Sequence, residues 1–487
     1  STPGEWLTHG RTYSEQRFSP LARVNDKNVS QLGLDWYYDL PTRRGIETTP
    51  LISDGVMYAT GTWSIVYALD ARTGKLLWQY DPKVDKEWAR YLCCDAVNRG
   101  AALWGDKVYV GTIDGRLVAL ERATGKVAWE VDTRINTVDA YTITGAPRIV
   151  NGKVIIGNGG AEYEVRGYVT AYDAESGQQV WRFFTVPGNP ADGFEDETQA
   201  FIAKTWTGKW WENGKGGGTA WDSFAYDPKL NLLYIGVGNG AHWSRDVRSS
   251  GGGDNLFLSS IVAVDADTGK YAWHYQTTPG DNWDYTAAQH MILAELDFDG
   301  KSRSVIMQAP KNGFFYVLDR ATGELLSANN YVTVNWASHI DMQTGRPVET
   351  EFARAADPSK PIYPSLSGGH NWHPMSFSPQ TGLVYIPAKE SFSVFELDSN
   401  PDKYKKPFLG LDYDMEKLFA VPDDVSADDR AQMYKQAAAA QLIAWDPVKN
   451  TEVWRQDRGF YSGSGLLSTA GNLLFQGSLE GEFYALA

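Results

Sequence analysis

The stretch ALDARTGKLLW, residues 68–78, decides the fold because its template returns five times. The other copies are ALERATGKVAW (119–129), AYDAESGQQVW (171–181), AVDADTGKYAW (263–273), VLDRATGELLS (317–327) and AWDPVKNTEVW (444–454). The third residue is acidic every time (Asp70, Glu121, Asp173, Asp265, Asp319, Asp446), and five copies end in Trp (Trp78, Trp129, Trp181, Trp273, Trp454) while Ser327 ends the fifth. Each copy reads as an apolar strand end, then a turn, then a second strand carrying the indole. The turn position that needs a positive φ holds Gly74, Gly125, Gly177, Gly269 and Gly323, with Asn450 in the sixth copy.

Alternating segments precede the copies, such as KVYVGTIDGRLVAL (107–120) and NLLYIGVGN (231–239). Together they predict four-stranded antiparallel units repeating at about 50 residues, the pattern of a β-propeller with the Trp wedged between blades. The fold class expected is all-β. Six full copies are followed by the start of a seventh, GNLLFQGSLEGEFYALA (471–487), which stops before its turn and Trp, so the chain reads as ending mid-blade. Two regions break the rhythm: a Gly- and Trp-rich loop at 182–222, and a charged insertion at 399–440 with a short helix expected at SADDRAQMYKQAAAAQ. Both read as caps over one propeller face.

A net charge of −15 opposes the clustered basic footprint that nucleic-acid binding needs. No apolar run is long enough to span a bilayer, and STPGEWLTHG lacks the regions of a signal peptide, so the chain reads as soluble and already processed. The only two cysteines, Cys93 and Cys94, are adjacent in YLCCDAVNRG. Neighbouring Cα atoms lie about 3.8 Å apart, below the usual disulfide range of about 4.4–6.8 Å, which argues against a bridge here as a fold staple. An oxidised pair would favour an exported location; two reduced, partly buried thiols are the other reading.

The motifs CCDAVNRG, GNGGAEYEVRG, GGGTAWD, GVGN, PGDNWDY and GGHNWHP resemble the pyrroloquinoline quinone (PQQ) dependent alcohol dehydrogenases, especially the propeller domain of the quinohaemoprotein members, across essentially the whole chain. The resemblance implies an eight-bladed ring and one PQQ-binding domain over 1–487, with no haem domain present. It implies that Cys93 and Cys94 form a vicinal disulfide on one face of the quinone while Trp221 stacks on the other. By the same resemblance Arg99, Thr144 and the Gly159–Gly160–Ala161 backbone bind cofactor carboxylates, Glu47, Thr219, Asn371 and Trp372 complete the rim, and Lys311 lies near the quinone oxygens. Glu162, Asn239 and Asp284 are all oxygen donors suited to a hard cation. Alone they would read as three turn polars; the resemblance makes them the Ca²⁺ ligands. Lanthanide-using relatives carry an extra acid two residues after the catalytic Asp, where this chain has Thr286.

Asp284 is then the implied general base for oxidising an alcohol to an aldehyde with PQQ and Ca²⁺. No C-x-x-C-H haem motif exists, so electrons would leave to a separate cytochrome c or cupredoxin, or to a haem domain outside this chain, in the periplasm. A rival reading is a non-catalytic PQQ-like-repeat propeller serving as a protein scaffold, which needs the Trp repeats but not CCDAVNRG. Hydrolysis by paired carboxylates is weaker, since no acid pair stands out. The chain departs from the family at Ser462, where relatives often have Trp, and the family continues beyond residue 487.

Overall fold

A computed structural model describes residues 2–298, 300–354, 357, 360–397, 411–412, 438–460 and 464–487. Seven four-stranded sheets appear among them. Blades 1 to 6 each take their four strands in chain order, as in blade 1: Leu51–Ser53, Val56–Thr60, Val66–Asp70 and Leu76–Tyr80. The seventh corrects the sequence reading of eight blades with a partial repeat at the end. Its strands Leu466–Thr469, Leu473–Gly477 and Phe483–Leu486 are joined by Phe18–Ser19, which pairs parallel to Leu466–Thr469. The incomplete repeat is thereby completed from a distant part of the chain.

The recurring Trp and Gly are two halves of one contact. A Cβ on Gly125 would lie 2.5 Å from the Trp78 indole of the preceding blade, and one on Gly177 would lie 2.8 Å from Trp129. The indole nitrogens donate across the same junctions, Trp78 to Arg122 O (3.0 Å) and Trp129 to Ala174 O (3.0 Å). Trp36, which lacks the repeat template, docks on Gly74 in the same way and donates to Ala71 O at 3.2 Å. The two exceptions in the repeat belong together. Where Ser327 replaces Trp, the next blade has no indole to receive, and Asn450 takes the left-handed turn (φ 54°), its Oδ1 accepting from Trp445 Nε1 at 2.9 Å.

A strap of residues 6–19 crosses the first strands of several blades. Trp6 exchanges backbone hydrogen bonds with Ile52, Ser14 O accepts from Leu293 N, Gln16 O from Phe377 N and Arg17 O from Ser468 N. Glu15 forms a buried ion pair with Arg148 at 2.9 Å. In the 182–222 loop, Trp206 and Trp210 bury against Val186 and Leu258. The helix expected at 426–441 lies mostly outside the described residues. Its final part is strand instead: Ala438–Asp446 pairs with Leu383–Ser391, because sheet pairing outweighs the helix preference of an alanine run. Ser462 also lies outside the described residues.

Candidate functional site

A cavity of about 450 Å³ draws its walls from all parts of the chain. The sequence candidates Glu47, Cys93, Cys94, Arg99, Thr144, Gly159, Gly160, Glu162, Thr219, Trp221, Asn239, Asp284, Lys311, Asn371 and Trp372 all line it. Ala161 does not: its methyl is buried in the short helical turn Ala161–Tyr163, one residue before Glu162 reaches the cavity.

Local chemistry explains why these side chains converge. In VNRG, the buried amide of Asn98 donates to Gly111 O (2.8 Å) and accepts from Gly100 N (3.0 Å), while Arg99 N donates to Thr144 O. This sets Arg99 between Glu47 (2.8 Å) and the Thr144 hydroxyl (2.8 Å), with its guanidinium carbon 4.9 Å from the Trp221 ring and 5.2 Å from that of Trp372. The run from Gly214 to Gly218 has positive φ throughout, with Lys215 its one non-glycine member. A Cβ on Gly217 would fall 2.6 Å from Ala241 N, and one on Gly238 would lie 3.2 Å from the Trp221 indole. Glycine is therefore required both for the approach to Trp221 and for the surface on which its ring lies. In PGDNWDY, Asp281 Oδ1 accepts from Trp283 N and Tyr285 N, each at 3.1 Å, and so holds Asp284 at φ 64°.

Asp284 Oδ2 accepts from Lys311 Nζ at 2.8 Å, both side chains being largely withdrawn from solvent. Burial, reinforced by the charge of Glu162, pushes the Asp284 carboxyl up to about 8 despite Lys311. Burial pulls Lys311 down, but the pairing with Asp284 outweighs it and the ammonium is held above its ordinary value. Glu162 Oε1 accepts from Asn239 Nδ2 (2.7 Å) and Trp243 Nε1 (3.3 Å). Among the described residues no group of three or more His, Cys, Asp or Glu converges as a ready metal cage. Two carboxylates and an amide facing one cavity still match the donor chemistry of a hard cation, with the remaining oxygens supplied by a bound cofactor. Arg99 and Lys311, buried cations on the same cavity, match a cofactor bearing several carboxylates.

Cys93 and Cys94 are free thiols here, open to the cavity. The expected disulfide is thus not formed in the structure; the thiols hydrogen-bond to one another instead, which raises Cys93 and lowers Cys94. The sequence reading missed Tyr91, Tyr163 and His373. Tyr91 and Tyr163 meet edge to face at 5.9 Å on the cavity wall, and His373 stacks on Trp372 at 4.0 Å. His373 and Tyr163 each adjoin a residue already singled out, a signal that was present but carried no chemistry of its own.

Residues 6–344 match the family profile of the PQQ glucose/ethanol/alcohol dehydrogenase β-propeller domain. The chain belongs to this family. Quinohemoprotein alcohol dehydrogenase ADH-IIG of Pseudomonas putida is 56% identical over 488 residues, covering 100% of this chain and 67% of that protein. The solved structure of ADH-IIG superposes with a TM-score of 0.93 over 100% of this chain and 71% of its own. The quinohemoprotein alcohol dehydrogenase of Comamonas testosteroni gives 50% identity and a TM-score of 0.91, covering 99% of this chain and 71% of its own. A europium-containing methanol dehydrogenase gives 35% and 0.87, covering 100% and 84%. Membership makes the chain a PQQ-dependent oxidoreductase and removes the scaffold reading. In this PQQ family the cavity's residues answer the need for an anionic quinone and a metal ion. No helix among the described residues is long and apolar enough to cross a membrane.

Proposed function

We propose that residues 1–487 form one PQQ-binding domain that oxidises alcohols to aldehydes, with Ca²⁺ held by Glu162, Asn239 and Asp284. The observation that carries this is the buried Asp284–Lys311 pair facing Glu162 and Asn239 across a cavity that also holds Arg99. When bound, PQQ supplies the electrophilic carbonyl that takes up hydride, and Ca²⁺ the Lewis acidity that polarises it. Lys311 occupies Asp284 Oδ2, which leaves Oδ1 to meet both the metal ion and the alcohol's hydroxyl proton. A half-turn of the Asn239 amide presents its oxygen where its nitrogen now meets Glu162.

Arg99 and Thr144 bind cofactor carboxylate, with Gly159, Gly160, Thr219, Glu47 and Asn371 around the rim. Trp221 and Trp372 exclude water. Cys93 and Cys94 close the face opposite Trp221 once oxidised, a step that releases two protons and two electrons to the electron acceptor. The Thr286 hydroxyl is engaged by Gln289, at 2.7 and 3.0 Å, and adds no charge for a trivalent ion, which favours Ca²⁺ over a lanthanide. Relatives named as quinohemoproteins, and a 44% identical 1-butanol dehydrogenase (cytochrome c) of Thauera butanivorans, support electron transfer to a haem protein or haem domain; a cupredoxin is the alternative acceptor, and the periplasm the expected site.

The test is an absorption spectrum with metal and cofactor analysis, then chelation. Removing the metal should abolish alcohol-dependent dye reduction, and Ca²⁺ with PQQ should restore it without any lanthanide. Full activity after exhaustive chelation, with no metal detected, would end this reading.

A further inference from the structure

The three oxygen donors assigned to the metal depend on three supports: Gly240 follows Asn239 in the chain, the Trp243 indole donates to Glu162, and Asp281 sets the backbone at Asp284. All three supports meet one side chain. Arg248 closes the short helix Arg245–Arg248 and is 0% exposed. Its Nη1 donates to His242 O (2.5 Å) and Trp243 O (2.8 Å), its Nη2 to Asp281 O (2.8 Å) and its Nε to Asn255 Oδ1 (3.1 Å). A Cβ on Gly240 would stand 2.6 Å from Arg248 Nη1 and 2.7 Å from both Cδ and Cζ, and no other atom comes closer. Arg248 is not itself among the cavity-lining residues.

Every acceptor here is an oxygen that cannot donate, three of them backbone carbonyls, and they lie in different directions around one point. Arginine presents its N–H groups as a flat fork in fixed directions, whereas lysine carries its three on a single nitrogen at the end of a flexible stem. Burial draws the guanidinium down to about 10, against the pull of Asp281, so it keeps its charge at neutral pH. A fork with bonds to both segments cannot slide toward one without leaving a buried carbonyl of the other unpaired. The distance from 240–243 to 281–284 is thereby fixed, and with it the approach of Asn239 to Asp284. We propose that Arg248 is a positioning residue for the metal site: its guanidinium spaces the segment carrying Asn239 from the segment carrying Asp284 and, through the Trp243 indole, orients Glu162. This rests on the assignment of the metal ligands above.

Calorimetric titration of the metal-free full chain with Ca²⁺, with PQQ in excess, reads the effect. Arg248→Lys, which keeps the charge but not the fork, should bind Ca²⁺ about 10–100-fold more weakly than the parent. Gly240→Ala keeps the arginine, and the backbone at 240 has no positive φ to require glycine, so the first atoms its methyl meets are those of Arg248. It should weaken Ca²⁺ binding as well, and the loss in the double variant should be less than the product of the two, because both act through the guanidinium. If Arg248→Lys does not fold, Gly240→Ala alone gives the reading. Loss of stability by itself is separated by Gly125→Ala, at the junction with Trp78, which should lower urea stability yet keep the parent's Ca²⁺ affinity within about twofold. Parental affinity in folded Arg248→Lys or in Gly240→Ala overturns the proposal, as does an equal loss in Gly125→Ala. Failure of the parent itself to bind Ca²⁺ would instead refute the metal assignment.

Discussion

If Asp284 is a metal ligand, the metal-free protein must give up a proton there before the ion can bind, and the structure sets the pH at which this matters. With the carboxyl pushed up to about 8, only about 9% of the chains carry the carboxylate at pH 7 and about 1% at pH 6. Ca²⁺ affinity should therefore rise about ninefold from pH 6 to 7 and about fivefold from 7 to 8, then flatten above about pH 9. The sign follows from the direction of the shift, since a raised acid is protonated across the neutral range and competes with the ion until pH exceeds its value. Calorimetric titration of the metal-free chain with Ca²⁺, in buffers of different ionisation enthalpy, measures both quantities. Near pH 7 each ion bound should release about 0.9 proton. Asp284→Asn should bind more weakly and lose the pH dependence. An affinity that is flat between pH 6 and 8 in the parent, or a proton release near zero, would refute the assignment of Asp284 as a buried ligand.

The same substitution should lower turnover of the loaded enzyme with primary alcohols by about 10²–10⁴, the range for losing a positioned base, and near-normal dye-linked turnover would place proton removal elsewhere. Thiol titration of the active, unreduced enzyme should find no free cysteine; two would show that the Cys93–Cys94 pair works as thiols, as it stands in the structure. Reduction should slow electron transfer more than it lowers stability, because the closed ring is too short to restrict the unfolded chain. Gly125→Ala should cost about 2–4 kcal/mol in urea unfolding, combining a left-handed alanine with a methyl pressed on Trp78. In a Trp78→Ala background only the backbone part, about 1–2 kcal/mol, should remain, and a coupling below about 0.5 kcal/mol would disprove the docking account.

The blade repeat was legible because its determinants are local: an acid that caps the turn, a glycine at positive φ and an indole a fixed step away. Asp70 Oδ1, for example, accepts from Thr73 N and its hydroxyl within one turn. Trp36 escaped because its contact with Gly74 has no surrounding template, and the seventh blade because its fourth strand comes from Phe18–Ser19. Cavity-lining residues were legible where a motif places them, as with Arg99 and Trp221. Ala161 was singled out for its backbone, and adjacency in GGAE does not say which residue of a tight turn lines the cavity.

The meeting of Arg17 with Leu466, 449 residues apart, also sets a timetable for assembly. At about 5–20 residues per second, synthesis separates the two by roughly 20–90 s, during which the first strand has no partner to receive it. Closing a loop of that size costs about 5 kcal/mol beyond the constant term, so the pairing can form only after the blades between have already shortened the path. The ring must therefore close last, and the polar strap carrying Glu15 and Arg17 must stay out of the wrong sheets until then. That interval is when a nascent chain is most open to mispaired edges, and when a holding chaperone would have most to grip.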